Sequence, residues 1–362
     1  MTEPPPLAIV GAAVFDGTGG PALPARTVLV RGGRVELVGP AGELPPRGAE
    51  VVDGAGCTLL PGIVDTHVHL DFYPPAEVLA GGVTTVRDLG WPAGRLAALR
   101  EAAEVPGAAS PRLLAAGQIV TVPGGYPTRA AWAPAGTARP VADATEATRA
   151  VAELAAAGAA VVKVALDDRV GPTLPGPVLA AVVAAARRHG LGVTAHVGTA
   201  REAEKALAAG VAELAHWPFD RRTLPEGLIA RLAASVTVVP TLHIQPSPAR
   251  RRGVRRFVEL GGRVLYGTDL GNQGPPPAVD VEELRLLVAA GLSPAQALAA
   301  ATSAAADHLG LAGAGRVTPG AAADLLLVAG DPLTDLAALA SVRLVTRDGR
   351  VASTAAARRP PP

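Results

Sequence analysis

Gly62-Ile63-Val64-Asp65-Thr66-His67-Val68-His69 is the stretch that decides the fold, because an apolar run ends in two histidines set at alternate positions. Residues two apart on a strand share a face, so His67 and His69 point into one interior, and Asp65 points there with them. Asp65 has two readings: it orients a ligand histidine, or it caps the floor of the interior. Three later runs end the same way, on metal-binding side chains: Val193-Thr194-Ala195-His196, Glu213-Leu214-Ala215-His216 and Val264-Leu265-Tyr266-Gly267-Thr268-Asp269. A fifth, Val161-Val162-Lys163-Val164, carries a lysine in its middle. A parallel barrel brings the ends of distant strands to one mouth. Six donors result: His67, His69, Lys163, His196, His216 and Asp269. That number suffices for two metal ions sharing a bridge.

No single member is strong evidence. A His-x-His pair also suits a solvated strand face, His196 and His216 alone read as satisfied core or rim histidines, and Asp269 alone reads as a turn or cap residue. Lys163 interrupts a run that a parallel sheet buries on both faces, where a charged ammonium is expensive and the neutral amine is favoured. A neutral amine can add carbon dioxide, and the resulting carbamate offers two oxygens to a pair of cations. The competing reading is a lysine snorkelling near the strand end or paired with Asp167 or Asp168. Beside four histidines the bridge is favoured. His189 and His308 close helices and read as structural. His243, after the seventh strand, is a substrate contact or a rim residue. Tyr126 and Arg129, in the loop after the third strand, could polarise a carbonyl or hold a carboxylate.

The chain has 362 residues, enough for one large α/β barrel and a smaller appendage, and a net charge of +1 that argues for no nucleic-acid or anionic-membrane partner. Cys57 is the lone cysteine, so no intramolecular disulfide forms, and its apolar setting predicts a buried side chain. Residues 1–6 lack a basic segment followed by an apolar core, and no stretch reads as a membrane span, so a cytoplasmic protein acting on a small-molecule substrate is expected. A homo-oligomer is left open.

Short strands are predicted over 7–15, 27–31, 34–38 and 50–53, with Gly32-Gly33 as a hairpin turn, and again over 323–328, 342–346 and 350–351, with Asp348-Gly349 as a turn. Each flank alone is too small for a stable core, so one composite β-sandwich from residues 1–60 and 317–362 is preferred over two separate strand pairs. Residues 61–316 alternate strand and helix, as an α/β (β/α)8 TIM barrel requires. Its strands are predicted to end near His69, Leu89, Gly117, Leu166, Val197, His216, Leu242 and Asp269. Helices are predicted over 142–157, 177–189, 199–209 and 225–234, several stopping at glycine. No Gly-x-Gly-x-x-Gly follows a strand, which disfavours a dinucleotide fold. The tail 358–362 reads as disordered.

These pieces resemble the amidohydrolase superfamily, in particular its imidazolonepropionase-like and prolidase-like (Xaa-Pro dipeptidase-like) metal hydrolases. The matching segments are 60–69, Gly82-Val83-Thr84-Thr85-Val86-Arg87-Asp88, Val162-Lys163-Val164, Gly267-Thr268-Asp269 and 315–325. The resemblance implies a barrel flanked by a composite sandwich and a binuclear site of two divalent ions, with zinc expected and Lys163 carbamylated and bridging. It also implies that His67, His69 and Asp269 hold one ion and His196 and His216 the other. The connections 70–81 and 244–262 are shorter than in such relatives, and Ala304-Ala305 stands where Asn-Pro or Asn-Ala is familiar. The function expected is metal-dependent hydrolysis of an amide or dipeptide C–N bond by an activated hydroxide, with Asp269 shuttling the proton. The rivals are a one-metal cyclic-amide hydrolase or deaminase, and a catalytically silent scaffold. Deaminases of the superfamily carry a glutamate three residues after the fifth-strand histidine, where this chain has Thr199.

Overall fold

Strands from the two ends of the chain hydrogen-bond into one sheet. The computed structural model describes residues 5–43 and 45–354. In that sheet the strands run in the spatial order Arg350–Thr354, Val342–Arg347, Leu325–Ala329, Cys57–Pro61, Leu7–Val14, Leu23–Arg31 and Arg34–Pro40, with Glu50–Asp53 paired to Leu7–Val14. The junction between the ends is the antiparallel register Leu325↔Pro61 through Ala329↔Cys57. Alternation then sorts the side chains. Leu59, Leu325 and Leu327 join Ile9, Val14 and Val28 in a core of the sheet's own. Leu60, Leu326 and Val328, one residue out of phase, join the core of the α/β unit. A one-residue slip would exchange these two sets, so the register is strongly specified. The expected turn forms at Gly32-Gly33, both at positive φ. Cys57 is only half-buried, against the expectation of full burial, because it opens its strand at the sheet's end opposite Ala329.

The middle of the chain forms two parallel arcs. One is Ile63–Val68, Val83–Asp88 and Arg112–Ala115; the other runs Ala138–Pro140, Ile119–Thr121, Val162–Leu166, Val193–Val197, Glu213–Leu214, Thr237–Val238 and Arg263–Val264. Backbone hydrogen bonds join them on both sides. Ala160 N donates to Ala115 O at 2.8 Å, while His69 N donates to Leu270 O and Asp269 N to His67 O, each at 2.7 Å. Helices cover the outside at Ala144–Ala156, Gly176–Arg188, Ala200–Ala208 and Glu226–Ser235, within a residue or two of expectation. Asp143 and Thr199 cap the first and third of these by accepting backbone N–H bonds. No helix among the described residues is long and apolar enough to cross a membrane.

Three strands depart from the expected lengths. Glu213–Leu214, Thr237–Val238 and Arg263–Val264 each pair over two residues only, so His216, Leu242 and Asp269 lie beyond their strands. Pro240 has no N–H to continue the ladder, and Thr241 and Asp269 turn into left-handed backbone at φ 45° and 57°. The third strand, Arg112–Ala115, ends near Gly117 as expected, and after that glycine, at φ 78°, a further short strand follows at Ile119–Thr121. The tail 358–362 lies outside the described residues.

An ionic brace crosses the interior. Arg87 donates to Thr66 O at 2.8 Å and to Glu213 Oε1 at 2.6 Å, and His308 Nε2 meets Glu213 Oε2 at 2.5 Å. Burial alone would raise the Glu213 carboxyl, but Arg87 and His308 outweigh it and hold it well below the usual range. His308 thus answers a buried carboxylate rather than only a helix dipole. Removing one partner of a buried ion pair strands the other charge. Glu213→Ala is therefore expected to cost about 3–5 kcal/mol, measured as a shift in the urea unfolding midpoint; a loss under about 1 kcal/mol would show that the brace does not carry stability.

Candidate metal centre

Nδ1 of His67 lies 2.9 Å from Ala215 O, and Nδ1 of His69 lies 3.2 Å from Gly90 O. A carbonyl only accepts, so each Nδ1 carries the proton and each Nε2 presents a lone pair. Both Nε2 atoms face Asp269 Oδ1, at 3.2 and 3.3 Å, and His216 Nε2 stands 3.8 Å from Oδ2. His216 is set by Thr241 Oγ1, 2.7 Å from its Nδ1. Lone pair thus meets lone pair in a buried place. His67 Nε2 and Asp269 Oδ1 are both buried with no hydrogen-bond partner among the described residues. Buried acceptors in that state are costly unless a cation lies between them. Among the described residues His67, His69 and Asp269 are the group whose donor atoms all fall within 4.8 Å of one another. This donor set fits a divalent ion of the zinc type.

The electrostatics agree. Burial, reinforced by Lys163, drives the His67 imidazole well below its ordinary value; burial and the neighbouring His196 do the same for His216. Neutral imidazole is the ligating form. The Asp269 carboxyl is held well below its usual range in spite of its burial. Lys163, buried on Val162–Leu166, is pulled down to about 7 by burial, with Asp269 and Glu213 opposing. It takes neither partner considered from sequence. Asp167 is gripped by the Arg169 fork at 2.8 and 2.7 Å and faces His196 Nε2 at 3.3 Å, while Asp168 accepts from Thr199. Lys163 and Lys205 are the chain's two lysines. In a sequence that writes almost every cation as arginine, a lysine kept inside a strand is a signal that composition alone could have supplied.

Asp65 does not touch an imidazole. It accepts from His67 N at 3.1 Å, from Thr268 N at 3.1 Å and from Thr268 Oγ1 at 2.6 Å. It therefore clamps the backbone before Asp269 to the strand bearing the His-x-His pair.

His67, His69, Lys163, His196, His216 and Asp269 all line one cavity of about 270 Å³, and Tyr126 lines it with them. The structure does not bring Arg129 or His243 to that lining. Arg129 is exposed on its loop, and His243 is held 2.7 Å from Asp280 Oδ2. Sequence reasoning missed Arg169, Trp132, Phe72 and Phe219, which also face the cavity. Arg169 and Arg250 each lie over the Phe219 ring, 4.7 Å from its centroid.

Residues 58–354 match a family model described as Amidohydrolase family. An imidazolonepropionase from Deinococcus deserti is 33% identical over 163 residues, which cover 43% of this chain and 40% of that protein. The match thus spans well under half of that relative's length. The crystal structure of a Xaa-Pro dipeptidase with bound methionine superposes with a TM-score of 0.84 at 22% identity, covering 96% of this chain and 99% of the other. A candidate prolidase from Bifidobacterium longum gives a TM-score of 0.83 at 27% identity, covering 97% and 95%.

The Lys163 environment has a measurable consequence. With metal removed, its side-chain amine is expected to gain its proton only as pH falls through about 7, since burial opposes the charged form. Nitrogen NMR of a lysine-labelled chain resolves this against Lys205; an Nζ signal of Lys163 that stays that of an ammonium above pH 9 would contradict it.

Proposed function

The chain belongs to the amidohydrolase family, and on that premise we propose that it is a metal-dependent hydrolase of an amide or dipeptide C–N bond. The observation that carries this is the buried, unpartnered facing of His67 Nε2 and Asp269 Oδ1 inside a cavity large enough for a small amide. In this reading His67, His69 and Asp269 would hold one divalent ion and His196 and His216 a second, with Lys163, as a carbamate, as a further oxygen donor. Zinc suits the imidazole and carboxylate donors. The metal, when bound, supplies an acidified water and a Lewis acid for the carbonyl oxygen.

The chain's own groups do the rest. Asp269, kept ionised, accepts the proton of the attacking water and delivers it to the leaving nitrogen. Tyr126 stays protonated because burial raises its phenol. Trp132 Nε1 donates to the Tyr126 oxygen at 3.0 Å, which leaves the phenol proton free for a substrate carbonyl. Asp167 holds Nε and Nη2 of Arg169, which lines the cavity, and the remaining edge of the guanidinium suits the carboxylate of a dipeptide or an N-acyl amino acid. Arg129 and His243 are assigned to groups that project past the mouth. Likeness to a candidate prolidase supports the dipeptide form of the substrate. The sandwich of residues 1–60 and 317–362 and a cytoplasmic location belong to the same proposal.

A one-metal hydrolase of a cyclic amide is the second reading. It draws on the His67–His69–Asp269 trio being the group that converges, while His196 Nε2 faces Asp167. Metal content separates the two.

Protein prepared with zinc and without chelator is expected to carry two ions per chain, and elemental analysis giving one ion at full activity favours the second reading. Lys163→Ala should lose nearly all hydrolysis of a dipeptide and N-acyl amino acid panel, with partial rescue by acetate or propionate filling the vacated space. Unchanged turnover in that variant would remove Lys163 from the site. Asp269→Asn is expected to lower turnover about 10²–10⁴-fold or more, and turnover within a few-fold of wild type would rule out Asp269 as proton carrier.

A further inference from the structure

The chain contains three tryptophans, three tyrosines and four phenylalanines, only 3% of its residues, and builds its cores from alanine, valine and leucine. Against that scarcity, Phe72, Trp91, Tyr126 and Trp132 form one contiguous array beside His69. Ring centroids are 5.1 Å apart for Phe72 and Trp91, 6.5 Å for Phe72 and Trp132, and 6.2 Å for Tyr126 and Trp132. These rings come from three different loops, so no local sequence pattern collects them.

Two members of the array are not filling a core. Phe72 is 41% exposed and Trp132 half-buried, and both face the cavity, while Trp91 is buried behind them. Trp91 packs edge to face on Trp132, at 89° and 6.4 Å, which braces the wall against collapse into the cavity. Large apolar rings left open to water at the mouth of a site mark the place where a ligand completes the packing. The Trp132 ring lies 5.0 Å from the His69 imidazole, so a group stacked there sits next to the reacting atoms. The charged Arg169 also lines the cavity and lies against Phe219.

We propose that the substrate carries a planar aromatic ring adjacent to its scissile amide, and that this ring seats against Trp132 and Phe72. This rests on the amide-hydrolase reading of the same site and adds a substrate class to it. A cavity of about 270 Å³ holds one such ring together with the amide, and an aliphatic group of equal size would forgo the ring–ring contact geometry.

The test uses the zinc-loaded full chain with N-benzoylglycine, N-acetyl-L-phenylalanine and N-acetylglycine. These place a ring on the acyl side, on the amine side and on neither. At least one ring-bearing compound is expected to exceed N-acetylglycine in kcat/KM by about 10-fold or more, mostly through KM. Trp132→Ala and Phe72→Ala should each bring that ratio down towards one; Phe72, being exposed, is the variant least able to disturb folding. Equal kcat/KM for all three compounds, or a preference that survives in both variants, overturns the aromatic wall while leaving amide hydrolysis standing. If none of the three is cleaved, the hydrolase reading fails for these amides, and the wall is judged by binding alone. Benzoate should then quench tryptophan fluorescence where acetate does not, and Phe72→Ala should weaken that quenching. Absence of selective quenching overturns the proposal.

Discussion

A carboxylate oxygen and an imidazole nitrogen, each with a lone pair and neither with a proton to share, face each other as buried atoms without a hydrogen-bond partner among the described residues. That contact, between Asp269 and His67, is the constraint on which the rest of the architecture depends. Left to itself it would drive the two groups apart. Three backbone devices hold it in place: the Asp269 N–H on His67 O, the Asp65 carboxylate spanning His67 and Thr268, and the left-handed turn at Asp269 itself. Each ties the strand carrying His67 and His69 to the segment after Arg263–Val264. The arrangement is preorganised for a cation because its cost falls only when one binds.

Charge compensation beneath the site follows the same logic. Arg87, Glu213 and His308 answer one another across the interior. Their carboxylate and guanidinium both act on Lys163, one favouring the ammonium and the other opposing it, so burial decides and the amine sits near neutrality. A reactive amine is thereby kept inside the strand without a counter-ion bonded to it. The ladder provides rigidity and the brace provides electrical balance, and the site needs both.

The loops divide the remaining work. Polar groups on the side of His196 come in a chain, with Asp167 gripping Arg169 and Arg169 lying on Phe219. The side of His69 is apolar, walled by rings. An asymmetric pocket of this kind orients an asymmetric substrate, and rigid scaffold strands with variable loops are how barrels come by such pockets.

Much of this was legible in one dimension. Strand and helix alternation, the glycines closing helices, the pairing of both chain ends and the six polar side chains that line the cavity are local patterns or strand-end positions, and these follow from periodicity and turn chemistry. What the sequence could not carry is whatever depends on distance between loops. Strand lengths near His216 and Asp269 were overestimated because an apolar run looks the same whether or not its neighbour pairs with it, and Pro240 and the Asp269 turn end those ladders early. Asp65 was legible as inward-facing, yet its role on the Thr268 backbone depends on a segment two hundred residues away. Arg169, Trp132 and Phe72 carry no local pattern that marks them, and folding alone sets them around one cavity. Hydrophobic period and side-chain chemistry are written residue by residue, so strand–helix alternation, the pairing of the chain's two ends and the candidate donors can be read along the chain. Which lone pairs meet, how a buried lysine escapes the carboxylates of Asp167 and Asp168, and which rings form a wall depend instead on separations in space that no spacing along the chain encodes.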